Sequence, residues 1–175
     1  RDDVESRGLG DVYKRQGTTN HLMTAQSYAA FRVANIRNVV TDLATDGIQP
    51  IEAEKFAALG GSMDIMLIDA AAAKNIAPLY AEDPTMLDTC KAWQDGSVYL
   101  EMAYNAYYTN YEIALANTWF AAKCVYPELF ADVDMTAKTN EITKAFLGQE
   151  LAAQIFACPS SFGGYQQIDT ASFFR

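Results

Sequence analysis

No stretch constrains the fold of this chain as tightly as Asp64-Ile65-Met66-Leu67-Ile68-Asp69. Consecutive large aliphatic side chains held between two acids have neither a helical nor an alternating period. A run so short and so apolar reads as a strand buried on both faces, the kind that parallel sheets contain. Asp69 can cap the alanine-rich helix that follows, Ala70 to Ile76, before Pro78 interrupts it. Pro84 and Thr85 then open a short helix carrying Met86, Leu87, Cys90 and Trp93, and Asp95-Gly96 turns the chain. Ser97-Val98-Tyr99-Leu100 is a second buried strand. Strands alternating with helices mean an α/β fold, in which the loops leaving the carboxyl ends of the strands are the usual place for a ligand.

The flanking segments fit that alternation. Ser27 to Ile36 has the apolar spacing of a helix, with Tyr28, Phe31, Val33 and Ile36 on it. Pro50 opens another, Ile51 to Leu59, with Glu52 and Glu54 in its first turn and Gly60-Gly61 past its end. Thr109 and Glu112 have the spacing of a capping box. The helix they start is apolar on nearly every face through Val125, which predicts burial all round, and Pro127 ends it. Asp134 can cap a last long helix in which Ile142, Ala145 and Phe146 follow the i, i+3, i+4 rule, with Gly148 as its stop.

Between the second strand and the long apolar helix lie Tyr104, Tyr107, Tyr108 and Tyr111. Each phenol offers an apolar face and a polar tip, so the loop suits recognition of a flat or bulky ligand better than acid–base chemistry. Tyr111 falls inside the expected capping box and is expected to pack inward. Tyr104 and Tyr107 divide between ligand contact and core, and Asn105 between ligand contact and holding the turn. His21, the sole histidine, has surface residue as its commoner role. Asp69 is most simply a helix cap, and Trp93 and Trp119 are expected in the core. No nucleophile–base pair, glycine-rich phosphate loop or metal-ligand spacing is evident in the sequence.

Residues 1–16 are set aside from this reading. Ser6 to Gln16 resembles the in-frame translation of a sequencing adapter and has no apolar periodicity. The basic and acidic side chains of residues 1–16 cancel, so the net charge of −9 belongs to residues 17–175. That balance argues against nucleic-acid binding, which needs clustered lysine and arginine. No apolar run reaches the roughly 20 residues that span a bilayer. Cys90, Cys124 and Cys158 have no CxxC spacing and are expected to be buried free thiols.

Three segments carry a resemblance. Asp64 to Ala70, Gly96 to Tyr99 and Tyr104 to Asn117 are similar, in residue type and order, to the carboxyl-terminal lobe of one class of ABC-importer substrate-binding proteins. These are the proteins for ferric siderophores, haem and cobalamin. Val125 to Phe130 with Asp132-Val133-Asp134, Phe146-Leu147-Gly148 and Phe162 to Asp169 extend the likeness over residues 17–175. The resemblance implies a three-layer sandwich with a central, mostly parallel sheet, one Rossmann-like lobe of a two-lobed clamp whose amino-terminal lobe is missing. It implies capture of an iron chelate, haem or a corrinoid outside the cytoplasmic membrane, in the periplasm or lipid-anchored at the cell surface. It further implies a monomer without intrinsic cofactor or catalysis that delivers its ligand to a membrane permease. The ligand-facing groups would be Tyr104, Asn105, Tyr107 and Tyr108, with His21 from the segment near the start. Arg32 and Arg37 are the nearest basic candidates and are expected to face solvent; their scarcity favours a neutral or weakly charged ligand unless the missing lobe supplies arginines. Glu52, Glu54, Asp132 and Glu141 are candidates for pairing with permease arginines. The rival reading is a metallocluster reductase on a related scaffold, which would need cysteine ligands in strand-end loops.

Overall fold

A computed structural model describes residues 7–9, 22–105 and 108–174. The chain runs β1 (Arg7–Leu9), β2 (Leu22–Thr24), α1 (Ala29–Val33), β3 (Arg37–Asn38), β4 (Gln49–Ile51), α2 (Ala53–Gly60), β5 (Ile65–Asp69) and α3 (Ala70–Glu82). It continues through α4 (Thr85–Asp88), α5 (Lys91–Gln94), β6 (Val98–Glu101), α6 (Tyr111–Val125), α7 (Met135–Leu147), α8 (Ala152–Ala157) and β7 (Gln166–Gln167). The main sheet has the order β3-β1-β5-β6-β7, parallel except for the antiparallel edge strand β7. β2 and β4 form a separate antiparallel pair.

Alternation along the two central strands builds a core on each face of the sheet. Met66 and Ile68 of β5, with Val98 and Leu100 of β6, face a cluster completed by Phe56, Ala73, Ile76, Leu87 and Trp93. Leu67 points the other way, into a cluster with Phe31, Phe120, Ala121 and Val125, against which Ile65 and Tyr99 pack. Helices α2 to α5 thus cover one face and α1 and α6 the other, which is the three-layer α/β sandwich with a mostly parallel sheet.

Several sequence expectations hold. Asp69 caps α3 by accepting the Ala71 N–H at 2.6 Å, and Asp134 caps α7 by accepting that of Ala137 at 2.7 Å. Gly148 ends α7 in the left-handed region, at φ 74°. Others are corrected. Pro50 lies inside β4 and opens no helix; among the described residues β4 pairs only with β2, an edge position of the kind that tolerates proline. Pro78 does not stop α3, which continues to Glu82 with the proline on its exposed side, where water can serve the carbonyl that lost its donor. The helix expected after Pro84 is two short ones, with Cys90 in extended conformation between them. The first helix is only five residues long, because Asn35 adopts φ 55° just beyond it.

The capping box does not form either. Asn110 is the N-cap of α6 and makes no side-chain cap bond, while the Thr109 hydroxyl turns back towards Asn105. Burial of α6 is one-sided: Ile113, Ala116, Asn117 and Phe120 are inside, but Tyr111 and Leu115 are exposed. Trp119 is half-buried, with Lys138 Nζ 4.3 Å from its ring centre, and Cys158 is exposed. Finally, Arg7–Leu9, from the segment set aside in the sequence reading, occupies a place between β3 and β5. Parallel pairing uses backbone groups alone, so side-chain periodicity gives no sign of so short a strand.

Candidate functional site

The tyrosine loop leaves the carboxyl end of β6 at Met102 and enters α6 at Tyr111. Its arms are tied together. Asn105 and Thr109 form an isolated antiparallel bridge, the Thr109 hydroxyl is 3.4 Å from Asn105 Oδ1, and the Asn110 N–H donates to the Tyr104 carbonyl at 2.7 Å. Tyr108 stands on this closed excursion with 85 % of its surface exposed. Tyr104 is half-buried, packs against both core clusters and lies 6.1 Å from the Tyr28 ring. Asn105 is half-buried. Tyr107 and His21 lie outside the described residues. Of the sequence candidates, the structure therefore brings Tyr104, Asn105 and Tyr108 together on one loop.

Beneath the loop is a layer of fully buried polar groups. Glu101, the last residue of β6, accepts the Tyr28 hydroxyl at 2.8 Å. Its register partner on β5 is the equally buried Asp69. From α6, the Asn117 amide donates to the Met102 carbonyl at 2.8 Å and accepts the Tyr165 hydroxyl at 2.7 Å. Burial, and secondarily the charge of Glu101, push the Tyr165 phenol well above its ordinary pKa. It therefore stays protonated and serves as a donor across the ordinary pH range.

Two residues change role relative to the sequence reading. Tyr111 is 71 % exposed rather than packed inward, and Leu115, one turn further along the same helix face, is exposed as well. The sequence hid this because a helix apolar on every face gives no polar side to assign to solvent. Asn117 was missed, although a lone amide inside an apolar helix is a readable signal of a buried polar contact. Arg32 and Arg37 are exposed. Their segment meets the far end of α6, where the Tyr126 hydroxyl donates to the Asn35 carbonyl at 2.8 Å. At that end too is an open groove of about 480 Å³ lined by Tyr99, Phe120, Cys124, Met135, Tyr165 and Gln167 among others. Its lining on α6 begins at Phe120, nine residues (roughly 13 Å) along the helix from Tyr111.

The exposed loop offers phenol rings, an amide and a hydroxyl, a set fitted to recognition. The cysteines are dispersed: Cys90 joins α4 to α5, Cys124 is on α6 and Cys158 follows α8. Burial pushes the Cys90 thiol up to about 11 and raises that of Cys124, whereas the Ser160 hydroxyl lowers that of exposed Cys158. Among the described residues no three His, Cys, Asp or Glu side chains gather as a metal site. None of the helices described is long and apolar enough to cross a membrane.

No protein-family model matches the sequence, and no curated protein does. Solved structures do resemble it. One is the molybdate periplasmic binding protein MolA of a Haemophilus influenzae ABC transporter, bound to molybdate, at 18 % identity and TM-score 0.57, covering 84 % of this chain and 43 % of that one. Another is the TroA-like periplasmic binding protein FepB from Veillonella parvula, at 18 % identity and TM-score 0.58, covering 86 % of this chain and 47 % of that one. The chain thus spans less than half the length of either. With its parallel sheet and helices on both faces, the fold is that of one lobe of a two-lobed periplasmic binding protein.

Proposed function

We propose that this chain is the carboxyl-terminal lobe of the substrate-binding component of an ABC importer, and that the loop after β6 is one wall of its ligand cleft. The observation that carries the reading is Tyr108: a large aromatic side chain, 85 % exposed, on a loop tied at both arms and rooted at the carboxyl end of the buried parallel strand β6. A phenol pairs an apolar face with a polar tip, and loops at the carboxyl ends of parallel strands are the usual ligand position in such sheets. The ligand in this reading is an iron chelate, haem or a corrinoid, captured outside the cytoplasmic membrane and handed to a membrane permease without a bond being made or broken. Tyr104, Asn105, Tyr107, Tyr108 and Tyr111 supply contacts, with His21 from the segment before β2. Glu52, Glu54 and Asp132, all exposed, are the acids offered to permease arginines, along with Glu141, which Lys138 contacts in this lobe.

The test is titration of the chain with haem, cobalamin and a ferric trihydroxamate, followed by tryptophan fluorescence and by NMR shifts of the loop amides. One wall binds weakly, so the expected result is low-affinity saturation by at least one of them, with shifts centred on residues 104–111. Tyr108→Ala should weaken it about tenfold, in line with the loss of one stacking contact. Absence of saturation with all three ligands would sink the reading. Iron and labile sulfide retained stoichiometrically by the purified chain would favour the metallocluster rival instead.

A further inference from the structure

We propose that Asn117, held by Tyr165, is the residue that positions the tyrosine loop on the sheet. The inference draws its functional meaning from the reading of that loop as a ligand wall. Met102 is where the chain leaves β6, and it is there, at the root of the loop, that the Asn117 amide donates at 2.8 Å. The other side of the same amide accepts the Tyr165 hydroxyl at 2.7 Å. Asn117 is fully buried, so its two bonds fix its orientation: reversing the amide would set its oxygen against the Met102 carbonyl. Tyr165 is itself fixed, its ring 4.7 Å from Phe120 and 5.7 Å from Phe156. The relay therefore joins three parts of the chain distant in sequence: the tail beside β7, the middle of α6 and the first residue of the loop.

A second tie lies one residue earlier, where Tyr28 holds Glu101 and its ring approaches Tyr104. The two ties act at successive residues, Glu101 from the α1 side and Met102 from the α6 side. The side-chain bonds of Asn117 go to the loop root at Met102 and to Tyr165, so its role is to set where the phenols stand.

Hydrogen exchange separates positioning from plain structural support. In Tyr165→Phe, which removes one hydroxyl and keeps the ring, and in Asn117→Ala, amides of residues 105 and 108–111 should exchange at least tenfold faster, with Asn110 as the chief reporter because its N–H closes the loop. Amides of β5 should change less. Acceleration in β5 with the loop amides unchanged would overturn the proposal and leave Asn117 a core residue only. If Asn117→Ala does not fold, Tyr165→Phe decides by the same criterion. In parallel, whichever of haem, cobalamin or ferric trihydroxamate binds the unaltered chain should bind Tyr165→Phe more weakly, and equal binding would also count against positioning. Failure of the unaltered chain to bind any of them would sink the ligand-wall reading, while the exchange data would still judge the anchoring.

Discussion

Cys90 shows how much a single side chain is governed by where it sits. It is fully buried at the joint between α4 and α5, and its sulfur lies so near Gly60 that a methyl group added there would come within 2.9 Å of it. Burial penalises the thiolate, so the folded protein keeps this proton up to about pH 11, against an ordinary value of 9.0. The sign follows from linkage. Below pH 9 both folded and unfolded chains hold the proton and Cys90 adds no pH dependence. Between pH 9 and about 11 the unfolded chain releases it first, so stability falls as pH rises. Urea midpoints measured from pH 8 to 10.5 should decline, and Cys90→Ala should flatten part of that decline; identical slopes in the two proteins would refute the assignment. The sequence marked all three cysteines as buried free thiols because none stands in a CxxC spacing, which holds for Cys90 and Cys124. It misplaced Cys158, since the exposure of a tail after α8 depends on how the tail packs.

At the scale of elements, local chemistry was legible wherever one residue decides. Asp69 and Asp134 announce helix starts by a side chain that must accept an N–H, and Gly148 announces an end by a backbone angle others avoid. Pro50 and Pro78 misled because the cost of a proline depends on whether its missing N–H faces a partner or water, which is a tertiary fact. The Thr109–Glu112 spacing misled because Thr109 found Asn105 across the loop, a contact between residues the spacing rule does not compare. Gly164, just before Tyr165, is a position where the backbone does decide. Its φ is 105°, and an added Cβ would fall 2.8 Å from the Phe156 ring. Gly164→Ala should combine left-handed strain with overpacking and destabilise the fold by about 2–4 kcal/mol. Thermal unfolding tests this, and a loss within the scatter of ordinary surface substitutions would show that the segment yields by moving.

The whole molecule was legible in its layers because the apolar runs of β5 and β6 demand helices on both faces. The way its two ends are closed was not. One face is finished by the last residues of the described chain: Phe174 stacks on Trp93 at 5.8 Å and 4°, lies 6.1 Å from Tyr80 and meets Phe173 edge-on at 4.9 Å. Sequence spacing cannot pair residue 174 with residues 80 and 93, because such contacts come from folding the tail back across α3 and α5. The clasp keeps Trp93 at 4 % exposure on the same face of the sheet as Met66 and Leu100. Removing the Phe174 ring should therefore do two things at once. It should cost about 1–3 kcal/mol, below the range for a fully enclosed phenylalanine because Phe174 is only half-buried, and it should admit water to the indole of Trp93. In a Trp119→Phe background, where Trp93 alone emits, Phe174→Ala should shift the native emission to longer wavelength and lower the urea midpoint. An unshifted spectrum with a lowered midpoint would mean that α3 and α5 close over Trp93 by themselves, and that the tail adds stability without sealing the core.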